Sequence, residues 1–266
     1  MEQPEMNMVH DTANNKELIE TAWEKASQNI AAIVARGADK FYKSTPEWPK
    51  MFSPSAASTC ACIDERVVGE KFGLPGSGIV LGKEKAAALI KNQGLKKISS
   101  HKHCGAAKIA FVKNFPYEAL TPELIDAYAD KWTRALAADL NLDYLGQQPV
   151  EGGDQHLAEV IYYDSTGKFN PSALPDLPLG FLVTRFNTSP EETRSGLSLA
   201  AAIATGNHGF GDRFTPDTPL VIIPVGEEAT LPVLQREIEA ELAQMLATGN
   251  ARLDSGISMP VARSSV

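Results

Sequence analysis

At 266 residues the chain exceeds an average domain, so one large domain or two small ones are open and length does not limit the core. Hydrophobic residues make up 43% and charged residues 22%, near globular averages, and the 17 prolines are scattered, which excludes wholesale disorder. A formal charge of −8 supplies no basic surface for a phosphate backbone, so nucleic acid is not the expected partner.

The start, MEQPEMNMVHDTANNKELIE, has neither the basic beginning nor the apolar middle of a secretory signal. No later run approaches the roughly 20 apolar residues of a membrane span, so a cytoplasmic protein without a membrane partner is expected. Three cysteines in that compartment point to metal ligands or a reactive thiol, not to disulfides.

Residues 14–43 place Leu18, Ile19, Ala22, Trp23, Ala26, Ile30, Ile33 and Val34 at three- and four-residue steps, which predicts a long amphipathic helix packing on the body or on a partner subunit. Three prolines in STPEWPKMFSPSA break the pattern. STCACI (58–63) then reads as a short strand ending at Asp64, GLPGSG (73–78) as a glycine-rich turn, and KEKAAALIKNQG as a helix closed by Gly94. LKKISSH predicts a second strand ending at His101, with a helix starting directly after it in CGAAKIAFVKNF. This is the βαβ grammar of a parallel sheet, in which functional residues gather at the carboxyl ends of the strands.

Thr121 and Pro122 open a further helix as N-cap and first residue. HLAEVIYYDSTGKFN reads as a strand and turn and GFLVTRF as a strand. A helix follows, with Ser189, Pro190 and Glu192 forming a capping box, then the strand PLVIIPVG and a terminal helix near 231–248. The tail from about 250 is expected to be loose. The fold class is α/β, a mainly parallel central sheet with flanking helices. A single domain is expected over 1–266, with a helical arm at 1–50, a core at 51–170 that carries the candidate site, and an α/β extension at 171–266.

Cys62 and Asp64 fall at one predicted strand end and His101 at the next, with Cys104 opening the following helix. Singly, a cysteine in an apolar strand is usually a small core residue and a lone histidine usually structural. Together, on two adjacent parallel strands, Cys62, His101 and Cys104 form a soft-to-borderline donor set that suits Zn²⁺, with water or Asp64 as fourth donor.

CIDER resembles the Cys-x-Asp-x-Arg motif, and HKHCGA the His-x-x-Cys-Gly motif, of the β-class carbonic anhydrases. AEVIYYDSTGKF is similar to that family's strand and turn after the metal helices. The resemblance covers roughly residues 15–170. It implies zinc held by Cys62, His101 and Cys104, Asp64 and Arg66 as the catalytic pair, CO2 and bicarbonate as substrates, and a homodimer or higher homo-oligomer. It also makes plausible a closed state in which Arg66 releases Asp64 onto the metal. The interval from Cys62 to His101 is shorter than is usual in the family, and LPGSG stands where the family has an Arg-Asn-Ala-Gly-Asn segment. Three other readings follow: hydrolysis of a CO2-like molecule such as carbonyl sulfide or carbon disulfide, a zinc-binding protein without catalysis, and a redox thiol at Cys60 and Cys62. Cys60 is read as a packed strand residue, His103 as a solvent-facing or proton-shuttling neighbour, and His208 as part of a loop that ends a helix. LPGSG is read as a backbone turn, with close approach to the metal pocket as its second reading.

Overall fold

The computed structural model describes residues 8–52, 57–118, 120–150 and 155–260. The predicted N-terminal helix is present but divided, because Gly37 takes a positive φ of 81° and separates α1 (Met8–Arg36) from α2 (Ala38–Lys43). Its apolar stripe lies against the chain's own body. Ala26, Ile30 and Ile33 are fully buried, and Trp23 packs on Phe210 and Phe214 at centroid distances of 4.9 and 5.4 Å. Ile30 and Ile33, at about 1.5–3 kcal/mol each for full burial, hold the helix more strongly than its exposed Arg213–Glu20 ion pair, for which about 0–1 kcal/mol is typical. The helix is thus part of the body's core, the first of the two placements that its stripe allows.

Two wholly parallel sheets carry the rest. The first is built from β1 (Thr59–Ala61), β2 (Phe72–Gly73), β3 (Lys97–His101) and β4 (Asp143–Gln148), in the order β2-β1-β3-β4. The second is built from β5 (Val160–Asp164), β6 (Gly180–Thr184), β7 (Leu220–Gly226) and β8 (Ala251–Leu253), in the order β6-β5-β7-β8, with β9 (Ile257–Ser258) also pairing with β7. Both sheets are therefore wound the same way: the first strand lies between the second and third, and the fourth lies outside the third. Helices α3 (Lys83–Asn92), α4 (Gly105–Asn114) and α5 (Pro122–Leu140) belong to the first sheet; α6 (Pro190–Ala204) and α7 (Leu231–Thr248) cover the second. Thr121 caps α5 and the Ser189–Glu192 capping box closes on α6, as their sequences predict.

Two expectations are corrected and one strand is added. The strand at 58–63 stops at Ala61, because residues 62–66 turn to bring polar side chains to the sheet's end. β4 has no signal in the sequence reading: it is an outer strand whose Asp143 and Leu145 face solvent, so hydrophobic alternation is missing. The segment after 250 is ordered through β8 and β9, with Asp254 accepting hydrogen bonds from the Ala38 and Gly256 amides at 3.1 and 2.9 Å.

The two sheets meet where β2 approaches β6. Leu182 N donates to the Ile63 carbonyl at 3.0 Å, and Gly73 N donates to Thr184 Oγ1 at 2.8 Å. One apolar core runs across this seam, from Ile30 of α1 through Ile63 and Leu182 to Ile222 of β7. Gly73 is required there, since a Cβ at this position would lie 2.0 Å from the Leu182 carbonyl oxygen. Gly73→Ala is expected to cost about 1–3 kcal/mol or more as an overpacked contact, read as a fall in Tm of at least about 2–4 °C per kcal/mol for a chain of this size.

At the end of β5, Asp164 is buried and accepts hydrogen bonds from the Thr166 amide and hydroxyl and the Gly167 amide. Burial nevertheless outweighs these bonds and pushes its carboxyl up to about 6. The folded chain thus binds this proton more tightly than the unfolded chain, in which the carboxyl titrates near 3.8. The resulting stability is full below pH 3.8 and is lost as pH rises to about 6, a change of about 3 kcal/mol. Denaturant titrations from pH 4 to 7 should show a falling limb that is flattened in Asp164→Asn.

Candidate metal centre

The pairing of β1 with β3, with Thr59 opposite Lys97 and Cys60 opposite Ile98, sets Cys62 beside the carboxyl end of β3. His101 ends that strand and Cys104 is the N-cap of α4. The donor atoms of Cys62, His101 and Cys104 all lie within 4.8 Å of one another, and all three residues are buried. The three residues expected as ligands are thus brought together.

The donor chemistry fits a metal ion. His101 Nδ1 donates to the Lys102 carbonyl at 2.7 Å, so the neutral ring carries its proton there and leaves Nε2 bare. That Nε2 is buried and has no hydrogen-bond partner, a condition shared among the described residues only by Ser195 Oγ. A buried, unpartnered acceptor is costly unless something else binds it. Two thiols beside it complete a set that zinc takes readily.

The thiols differ from each other. Burial raises the Cys62 thiol, yet a hydrogen bond from Cys104 holds it well below its usual value. Cys104, which donates that bond and is itself buried, is pushed well above. The Gly76 amide also donates to Cys62 Sγ, at 3.2 Å. This realises the close approach open to LPGSG: Gly76 and Ser77 take φ of 56° and 57°, and the turn points an amide at the sulfur.

Asp64 and Arg66 form a bidentate pair, with Nε to Oδ1 at 2.9 Å and Nη2 to Oδ2 at 2.7 Å, and the Arg66 amide donates to Oδ1 as well. Burial alone would raise the Asp64 carboxyl. The hydrogen bonds from the Arg66 guanidinium hold it well below the usual carboxylate range. Asp64 Oδ2 lies 3.6 Å from His101 Nε2, so the anion faces the cluster.

Cys60 is separate from the cluster. It is fully buried with Phe72, Leu74, Leu89 and Ile98 in a second apolar cluster, and burial pushes its thiol far up. A reactive thiol needs the opposite shift.

A cavity of about 570 Å³ adjoins the centre, reaching Cys104 and His156 at its wall and lined elsewhere by Ile109, Val112, Leu120 and Ile203. His103 and His208 line it too. His103 is half-buried in a left-handed conformation, its amide donating to Asp126 at 2.8 Å. The loop reading of His208 therefore misses a contact: its carbonyl accepts the His156 amide at 2.6 Å. Sequence reasoning also misses Glu65 and His156. The one available signal is the count of imidazoles, since four of the chain's five histidines converge on this region.

No protein-family model matches the chain, and neither a curated protein nor a solved structure is measurably similar to it. No helix among the described residues is long and apolar enough to cross a membrane.

Cys104→Ser should lower zinc affinity by more than the roughly 10–100-fold that loss of an outer partner costs. Cys60→Ser should leave it unchanged. Elemental analysis after dialysis against a chelator separates the two outcomes.

Proposed function

We propose that the chain is a zinc-dependent carbonic anhydrase that reversibly hydrates CO2 to bicarbonate. The observation that carries this reading is the bare, buried Nε2 of His101 set between two thiols and facing a carboxylate that Arg66 keeps ionised. A zinc ion held by Cys62, His101 and Cys104 supplies a Lewis acid that brings the pKa of a water down toward about 7.

The chain's own groups do the rest. Asp64, ionised and acceptor-only, takes a hydrogen bond from an oxygen nucleophile beside it and turns that oxygen's lone pair toward the substrate carbon. Arg66 fixes the carboxylate through two parallel bonds, so its orientation is set before substrate arrives. The apolar cavity admits an uncharged linear molecule to Cys104 and His156 without asking it to shed strong hydration. That cavity is also the observation favouring the second reading, hydrolysis of carbonyl sulfide or carbon disulfide, since apolar walls discriminate poorly among such electrophiles.

Stopped-flow CO2 hydration by the zinc-loaded chain, run beside sulfide release from carbonyl sulfide, tests the proposal. Hydration is expected, with Asp64→Asn lowering kcat/KM by roughly 100-fold at unchanged zinc content. A fully zinc-loaded chain that hydrates no CO2 overturns the reading; sulfide release would then favour the second, and neither activity a zinc site without catalysis.

A further inference from the structure

Asp64 and Arg66 are not an isolated pair. Glu65, between them in sequence, directs its carboxylate elsewhere: Oε2 lies 3.0 Å from His156 Nδ1, and Oε1 accepts the Leu157 amide at 2.8 Å. With Nδ1–H donated to Glu65, the other ring nitrogen is an acceptor, and it lies 3.5 Å from Arg66 Nη2. The same guanidinium donates to the Gln155 carbonyl at 3.3 Å and the His103 carbonyl at 3.4 Å. The His156 ring is stacked at a tilt on Phe181 of β6, with centroids 5.3 Å apart, and is almost wholly buried.

Asp64, Glu65 and His156 also bring donor atoms within 4.8 Å of one another, a spacing at which a second cation would fit. Arg66 argues against that use, because its guanidinium is already bonded to Asp64 and reaches His156, supplying the positive charge that two buried carboxylates require. The arrangement is a hydrogen-bonded chain running Glu65, His156, Arg66, Asp64. Its far end is rooted in the C-terminal half of the molecule, and its near end faces His101.

We infer that Glu65 and His156 are positioning residues, which hold Arg66 and through it the Asp64 carboxylate aimed at the metal cluster. The inference rests on the reading of Asp64 and Arg66 as the catalytic pair. Glu65 selects the His156 tautomer, His156 Nε2 accepts from the outer edge of the guanidinium, and the inner edge is left only the orientation that meets Asp64 with both bonds. Removing the imidazole nitrogens loosens the guanidinium without touching a metal ligand.

The test uses the full chain in two measurements. In ¹⁵N-labelled protein, NMR reports solvent exchange of the Arg66 Nε–H, which needs no catalysis. His156→Phe preserves an aromatic ring and removes both nitrogens; it should speed that exchange about tenfold or more, and His156→Gln, which can donate to Glu65 and accept from Arg66, should restore it. In zinc-loaded protein His156→Phe should lower kcat for CO2 hydration by about 10–100-fold with KM and zinc content held, and His156→Gln should recover most of it. Glu65→Gln gives the same direction and serves if His156→Phe does not fold. Unchanged Arg66 exchange in the folded variants overturns the inference, as do equal losses in His156→Phe and His156→Gln, which would reduce His156 to packing. If Arg66 exchange responds as stated while the native chain hydrates no CO2, the positioning network stands and the carbonic anhydrase reading falls.

Discussion

Everything at the candidate metal centre depends on one backbone constraint, the parallel pairing of β1 with β3 in the register that sets Cys60 opposite Ile98. Parallel strands end on the same side of a sheet, so residues just past both carboxyl ends become neighbours although about forty positions separate them in sequence. A shift of one residue would turn the side chains of β1 to the opposite face and take Cys60 out of its apolar cluster. The register is held on both faces: Cys60 is locked among Phe72, Leu89 and Ile98, while Cys62 faces the other cluster with Cys104. Two cysteines two apart, one inside β1 and one just past its end, therefore have distinct physical environments, and only Cys62 converges with His101 and Cys104.

The second sheet repeats the winding of the first strand by strand, yet the chemistry is not repeated. All three cysteines precede residue 105, and β5 and β7 end at Asp164 and Gly226 where the first sheet has the Cys62 turn and His101. What the second half contributes is position. It supplies the Leu182 amide to Ile63, the Gln155 carbonyl and His156 ring to Arg66, and Ile203 and His208 to the cavity wall. From the extension at 171–266, Leu182 thus braces the turn after Cys62, and Ile203 and His208 reach the cavity beside the cluster.

The legibility of the sequence follows from which forces are local. Capping at Thr121 and Ser189, periodicity in α1, and apolar runs at β5, β6 and β7 are decided within a few residues, and these elements are read correctly. The convergence of Cys62, His101 and Cys104 is legible because the carboxyl ends of two adjacent parallel strands lie side by side. β4 and β8 are not legible: DYLGQQ and ARL carry no apolar run like that of β6, and their order comes from pairing with β3 and β7 and not from their own composition. Glu65 and His156 are invisible for a different reason. A Glu that turns away from its neighbours and a His ninety-one residues on meet only because β2 and β6 bring the two sheets together.

The turn from Cys62 to Lys71 carries a cost that packing alone does not explain. Asp64, Glu65 and Lys71 are each more than nine-tenths buried, and Arg66 lies beside them. Lys71 is so enclosed that burial lowers its ammonium to about 8, and it donates to the Asp64 and Val67 carbonyls at 2.6 and 2.7 Å. Desolvating charged groups costs several kcal/mol each in general, and well-packed apolar replacements are often as stable or more so. A chain selected only for stability has no use for four such side chains within eight positions. What they do provide is a carboxylate, a guanidinium and a backbone turn fixed from several directions at once, beside the converging donor atoms of Cys62, His101 and Cys104. That rigidity is what the proposed hydration would require, since its nucleophile must be oriented before the substrate arrives.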